Sequence, residues 1–210
     1  MVPLHPKLVI LGRDGVLNQY REDHVKAAEE WQPLPGALDA VARLNHAGWH
    51  AVVATNQSGI GGGLVDMGSL NAVHRRMMQS LADSGGRIDA VFFCPHTPEA
   101  GCDCRKPLPG LMLQIAARYG LEAELGNVPM VCDTERDLEA AQAAGCQPHL
   151  VLTGRAAALG ADELARWCAG VDGLHVHADL GAFVDFVLHR QHAALGVVGE
   201  DSRPGGLQQH

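Results

Sequence analysis

Five short runs of Val, Leu, Ile and Ala constrain this chain more than any other feature. They are KLVIL (7–11), WHAVVA (49–54), AVFFC (90–94), VPMVC (128–132) and PHLVL (148–152). A strand with water on one face alternates apolar with polar residues. An unbroken apolar run of this length suits a strand covered on both faces, as in a parallel sheet. Between the runs lie stretches with helical spacing at 36–47, 66–82, 108–119 and 134–144. Pro35 and Gly48 bracket the first, and Gly145 follows the last. Strand alternating with helix predicts an α/β fold, a doubly wound, Rossmann-like parallel sheet.

A chain of 210 residues suits one buried core. We read a single domain over 1–190. The Gly-rich, polar stretch 191–210 is read as a flexible tail. Aromatic residues make up only 4%, so the core must rest on aliphatic side chains. The net charge of −8 argues against a nucleic-acid partner, which is held by Lys and Arg on its phosphates. No run approaches the roughly 20 apolar residues that cross a bilayer. The apolar stretch near the start is too short for a signal-peptide core. The expectation is a cytoplasmic protein with no membrane partner.

In a doubly wound sheet, ligands bind beyond the carboxyl ends of the strands. Four of the predicted strands lead into polar clusters: Gly12-Arg13-Asp14-Gly15, Thr55-Asn56-Gln57-Ser58-Gly59, Cys104-Arg105-Lys106-Pro107 and Asp133-Thr134-Glu135-Arg136-Asp137. Singly, each is an ordinary cap, polar loop or surface pair. Together they offer what phosphoryl transfer on magnesium requires. Carboxylates hold the ion, Lys and small donors hold phosphoryl oxygens, and an acid protonates the leaving oxygen.

A second pattern lies in the third cluster. Cys94-x-His96, five residues, then Cys102-x-Cys104 supplies three thiolates and an imidazole. That is the donor set of a closed structural zinc site. Pro95, Pro98 and Gly101 leave the loop almost nothing to bury, so a metal would hold it and aim Arg105 and Lys106. Cys132, Cys146 and Cys168 sit in apolar stretches and are read as buried thiols. His175, His177, His189 and His192 have no cysteine nearby and are read as surface residues.

The ordered set resembles the haloacid dehalogenase-like (HAD) phosphohydrolases over about 7–153. More narrowly, Gly15-Val16-Leu17-Asn18, Glu30-Trp31, Leu34-Pro35-Gly36, Thr55 to Gly59, Cys94-Pro95-His96 and Cys102 to Pro107 resemble the heptose-bisphosphate phosphatases. The histidinol-phosphate phosphatases are near neighbours, but Val16 and Asn18 favour the heptose group.

The resemblance implies a HAD-like domain with a zinc loop and no large cap, acting as a monomer on a small phosphorylated sugar. Asp14 matches the acid–base residue and, through its backbone, a Mg²⁺ ligand; Asp133 matches the other Mg²⁺ ligand. Thr55, Asn56, Gln57 and Ser58 match the phosphate-holding segment. Lys106 matches the charge-balancing lysine, and Arg105 would meet the sugar or its second phosphate. Asp137 stands between a site role and a helix first-turn carboxylate. Cys132 and Gly61-Gly62 depart from the family pattern in minor ways.

Gly12 departs in a major one. It occupies the position of the aspartate that attacks phosphorus, and a glycine has no carboxylate. Three readings stand side by side: a pseudo-enzyme that binds without cleaving, a substitution in an active parent, or a rerouted mechanism. The otherwise intact set favours an active parent or a recent loss.

Overall fold

The computed structural model describes residues 6–194. Six strands form one sheet in the order β3-β2-β1-β4-β5-β6, and every neighbouring pair is parallel. They are β1 (Leu8–Leu11), β2 (His50–Asn56), β3 (Ala90–Cys94), β4 (Pro129–Cys132), β5 (Gln147–Val151) and β6 (His175–His177). All four residues of β1 and of β4 are buried, as the unbroken apolar runs require. The strand order reverses between β1 and β4, and there the carboxyl ends open a crevice.

The helices cover both faces. On one side α1 (Ala37–His46), α3 (Met67–Asp83) and α7 (Leu180–Ala194) enclose a core around Val9, Leu11, Val41, Val53, Met77 and Phe183. On the other, α4 (Gly110–Tyr119) and α5 (Glu135–Ala144) pack over Ile10, Val52, Met112, Met130 and Leu150, with α6 (Ala161–Cys168) at the margin. The single-turn α2 (Ser58–Gly61) follows β2. Local chemistry sets the boundaries. Asp66 caps α3 by accepting from the Ser69 amide at 2.6 Å, and Gly145 closes α5 with φ +77°.

Sequence patterning alone gives no element after residue 152. β6 escapes it because it is only three residues, His-Val-His, with no apolar run. It forms because it pairs with β5 in register, His149 with His175 and Val151 with His177. The α7 helix extends to Ala194, so residues 191–194 of the stretch read as tail are helical; 195–210 lie outside the described residues. Cys132 and Cys146 are buried, whereas Cys168 is only half-buried. No helix among the described residues is long and apolar enough to cross a membrane.

The surface assignment for His177 is corrected: it is 8% exposed. Its strand faces Phe183 and Phe186 of α7, and His149 Nδ1 and His177 Nε2 share a hydrogen bond at 2.9 Å. His175 is half-buried beside them, and His189 and His192 are exposed. Burial, then the charges of His177, His175 and Arg190, pushes the His149 imidazole from 6.5 down to about 3. His177 is lowered too, by burial and then His175. Below pH 6.5 the unfolded chain therefore binds protons that the folded one refuses. Stability contributed by the neutral pair is complete above pH 6.5 and is lost as pH falls toward 3. Urea unfolding at pH 7 and pH 5 is expected to show a loss of about 1 kcal/mol per pH unit from this source, and His149→Leu is expected to flatten it. An equally steep pH dependence in that variant would contradict the assignment.

Candidate active site

A cleft of about 800 Å³ opens at the carboxyl ends of the strands, and Gly12, Asp14, Thr55, Lys106 and Asp133 all line it. Asn56, Gln57, Ser58, Arg105 and Asp137 line it as well. Four chain segments separated by many residues therefore converge, as reading the strand ends first predicts.

Asp14 sits inside a dense set of donors. Arg13 reaches both its oxygens at 2.9 Å, Asn18 Nδ2 donates at 2.9 Å and Gln57 Nε2 at 3.0 Å. Burial alone would raise this carboxyl. The Arg13 charge and these hydrogen bonds outweigh it and hold the group below the ordinary carboxylate range. In this arrangement Asp14 is an anion that can accept a proton; donating one requires the Arg13 contact to be exchanged. Arg13 is 1% exposed and also meets His74 Nε2 at 3.2 Å and Gln57 Oε1 at 3.2 Å. Burial, then Arg13, pushes the His74 imidazole down to about 4, so it faces the guanidinium as a neutral acceptor.

Lys106 is 4% exposed, with Asp137 at 2.7 Å and the Ala54 carbonyl at 3.0 Å. Burial lowers its affinity for a proton, but Asp137 more than restores it, so the ammonium stays charged. Asp137 is thus the counter-ion of Lys106 and also lies on the cleft wall. Thr134 caps α5, its Oγ1 accepting from the Asp137 amide at 3.2 Å. A buried ion pair leaves a costly survivor when one partner goes. Asp137→Ala is expected to destabilise the fold by about 3–5 kcal/mol in urea unfolding; a loss below about 1 kcal/mol would mean that Lys106 is solvated.

The family pattern assigns Asn56 to the phosphate, but its amide is engaged elsewhere. It clasps the backbone of Lys106, donating to the carbonyl at 3.1 Å and accepting from the amide at 3.2 Å. Gln57 Nε2 is likewise shared between Asp14 and Thr55 Oγ1. Both act by placing other groups. The Thr55 hydroxyl accepts from Gln57 at 2.9 Å, which leaves its own proton to offer. Arg105 donates to the His96 carbonyl at 3.2 Å, so the cysteine loop steers it.

Asp133 is 2% exposed and its carboxyl is pushed up to about 7, by burial and then by Asp137, against the Arg155 amide and Lys106. Its Oδ2 accepts from that amide at 3.0 Å. A Cβ on Gly15 would lie 1.9 Å, and one on Gly154 2.2 Å, from Oδ2, and both glycines have positive φ. The carboxylate is therefore seated in a cradle that admits no side chain. A buried carboxylate crowded by Asp137 and Asp14 is a hard-oxygen donor that suits a divalent cation. The residues present fit Mg²⁺.

Gly12 donates its amide to the Val131 carbonyl at 3.0 Å. It is not among the positive-φ glycines, so its backbone accepts any L residue. A Cβ there would meet Val16 Cγ2 at 2.9 Å and the Val131 carbonyl at 3.5 Å.

The cysteine cluster closes as its spacing requires. Cys94, His96, Cys102 and Cys104 bring their ligand atoms within 4.8 Å of one another, with nearest contacts of 3.3 to 3.6 Å. Thiolates about 2.3 Å from a tetrahedral zinc stand about 3.8 Å apart. The group can hold a metal with little movement.

Sequence reasoning missed Arg13, His74 and the segment after β5. Thr153 Oγ1 donates to the Gly15 carbonyl at 2.6 Å, Gly154 completes the Asp133 cradle, and Arg155 stacks on the Tyr20 ring at 4.4 Å while bonding its hydroxyl. The signal was available, since these residues come directly after an apolar run as the other clusters do.

Comparison with known proteins agrees with this geometry. Residues 103–180 match the HAD-hydrolase-like family. The chain is 50% identical over 183 residues to a D-glycero-beta-D-manno-heptose-1,7-bisphosphate 7-phosphatase of Bordetella bronchiseptica, covering 87% of this chain and 98% of that one. The chain belongs to this family of HAD-like phosphatases. The Pseudomonas aeruginosa protein of the same name is 48% identical over 148 residues, 70% of this chain and 82% of its own. The crystal structure of the B. bronchiseptica family member, complexed with magnesium and phosphate, aligns with a TM-score of 0.81 at 49% identity, covering 88% of this chain and 99% of that chain. A D,D-heptose 1,7-bisphosphate phosphatase from Burkholderia thailandensis aligns at 0.66 with 45% identity, covering 87% and 98%. The fold is thus HAD-like, with six parallel strands and no large cap among the described residues.

Proposed function

We propose that this cleft binds D-glycero-D-manno-heptose 1,7-bisphosphate by its 7-phosphate, on Mg²⁺, and is built for hydrolysis of that phosphate. The observation that carries the reading is the convergence of Asp14, Thr55, Lys106 and Asp133 on one cleft in a chain half identical to an enzyme of that name. Asp133 and the Asp14 backbone carbonyl would hold the ion, which when bound supplies charge neutralisation at the phosphoryl oxygens. Thr55 donates its hydroxyl proton to a phosphoryl oxygen, and the Lys106 ammonium balances charge beside it. With its Arg13 contact exchanged and a proton taken up, Asp14 would give that proton to the departing sugar oxygen while an attacking water oxygen forms the new bond to phosphorus, and the proton that this water loses would return to Asp14. Arg105 meets the sugar or its distal phosphate. Cys94, His96, Cys102 and Cys104 would hold zinc, and the loop fixed in that way would keep Arg105 and Lys106 in place. We take the protein to act in the cytoplasm as a monomer, the expectation from its sequence.

Gly12 favours a second reading for the chain as it stands: a sugar-phosphate-binding pseudophosphatase. Both readings require magnesium-dependent binding. Titration calorimetry of the unmodified chain is expected to show heptose bisphosphate bound with Mg²⁺ and lost with EDTA. Stronger binding of histidinol phosphate would move the substrate to the neighbouring group, and no binding of either ester would overturn the reading.

A further inference from the structure

We infer that His24 is a specificity residue for the leaving group: its imidazole meets the sugar hydroxyls of the ester whose phosphate lies toward Thr55 and Lys106. The inference rests on the proposed function and adds a residue that the family pattern did not bring to notice. His24 has φ +66°, the one non-glycine residue in the left-handed region among the described residues. A β-carbon makes that conformation unfavourable, and such residues persist where the surroundings over-determine them, often at ligand sites.

The surroundings do so here. His24 and Arg21 exchange hydrogen bonds, amide to carbonyl at 3.3 Å and Arg21 Nε to the His24 carbonyl at 3.3 Å. Arg21 and Lys26 both pair with Asp23, and Val25 is 2% exposed. The loop is therefore pinned on either side of a half-buried ring that lines the cleft.

The ring has a defined place. Its Cδ2 and Cγ lie 3.6 Å from where a Cβ on Gly59 of α2 would stand, and His24 lines the same cleft as the Thr55–Ser58 segment. Neither ring nitrogen has a hydrogen-bond partner among the described residues. The two ring nitrogens of an imidazole can hydrogen-bond adjacent hydroxyls, which both donate and accept. Glycine would take this backbone without strain, so what histidine adds is the ring.

The test is calorimetry with Mg²⁺ on the unmodified chain, His24→Gly and His24→Asn, using heptose 1,7-bisphosphate and inorganic phosphate as separate ligands. His24→Gly is expected to melt roughly 2–4 °C higher. It should bind the bisphosphate about 5–10-fold more weakly and inorganic phosphate unchanged. His24→Asn, which tolerates the left-handed region and keeps both hydrogen-bonding functions, should stay within about twofold of the parent. Unchanged bisphosphate binding in His24→Gly overturns the inference alone. Equal weakening of both ligands also overturns it, because it assigns the residue to folding of the loop. Failure of the unmodified chain to bind the bisphosphate removes the proposed function and this inference together.

Discussion

Removal of the zinc ion proposed for the Cys94, His96, Cys102 and Cys104 cluster is expected to lower the melting temperature by roughly 10 °C or more and to abolish phosphate binding. The size reflects what the loop lacks. Between Cys94 and Cys104 no residue but the half-buried Cys102 packs against the core, and Pro98–Ala100 is a single exposed turn. Without a central ion, three thiols and an imidazole crowded within 4.8 Å rely on a few loop hydrogen bonds, such as Gly61 N to the Pro95 carbonyl at 2.8 Å and Gly110 N to the Asp103 carbonyl at 3.1 Å. The effect spreads because the chain runs from Cys104 straight into Arg105 and Lys106. The Asn56 clasp on the Lys106 backbone and the Lys106–Asp137 pair both depend on that exit. Cys102→Ser should reproduce the effect of a chelator. Native mass spectrometry should find one zinc ion per chain. A metal-free protein that melts unchanged and still binds phosphate would show the cluster to be four ordinary side chains.

Much of this was legible because the sheet and the metal loop are specified locally. Each of β1 to β5 carries a short, largely apolar run, and each clustered ligand lies within a stretch of eleven residues. A doubly wound sheet gathers the residues at the carboxyl ends of its strands in one place, so Asp14, Thr55, Lys106 and Asp133 could be grouped from their order alone. The features that stayed hidden depend on tertiary partners. β6 has two histidines in three residues and exists only because β5 pairs with it and α7 covers it. The roles of Asn56 and Gln57 could not be read from their types, since an amide suits a phosphate and a backbone equally well. The burial of Arg13 was invisible for the same reason: a guanidinium next to a carboxylate in sequence is more often a surface pair. The Asp133 cradle needed Gly154, 139 positions after Gly15, to be recognised.

Gly12→Asp is expected to raise phosphate release by a factor on the order of 10⁴ or more. The substitution restores the one group that the surrounding chemistry presupposes. Gly12 lines the same cleft as Asp14, Thr55, Lys106 and Asp133, and its backbone is free of the left-handed strain that would exclude aspartate. The obstacle is a single methyl. Val16, 1% exposed, places Cγ2 at 2.9 Å from the new Cβ and must rotate or shift by a few tenths of an ångström. That movement costs about 1–2 kcal/mol in a packed core, so the variant should fold and melt slightly lower than its parent. Formate should partly rescue the unmodified chain by entering the space that the missing carboxylate leaves.

The most direct test compares phosphate release from D-glycero-D-manno-heptose 1,7-bisphosphate by the unmodified chain and by Gly12→Asp, both with Mg²⁺ and both checked for folding by circular dichroism. Rapid, EDTA-sensitive loss of the 7-phosphate is expected in the variant, with turnover lower by several orders of magnitude in the parent. A folded, magnesium-binding variant that releases phosphate no faster than its parent would contradict it.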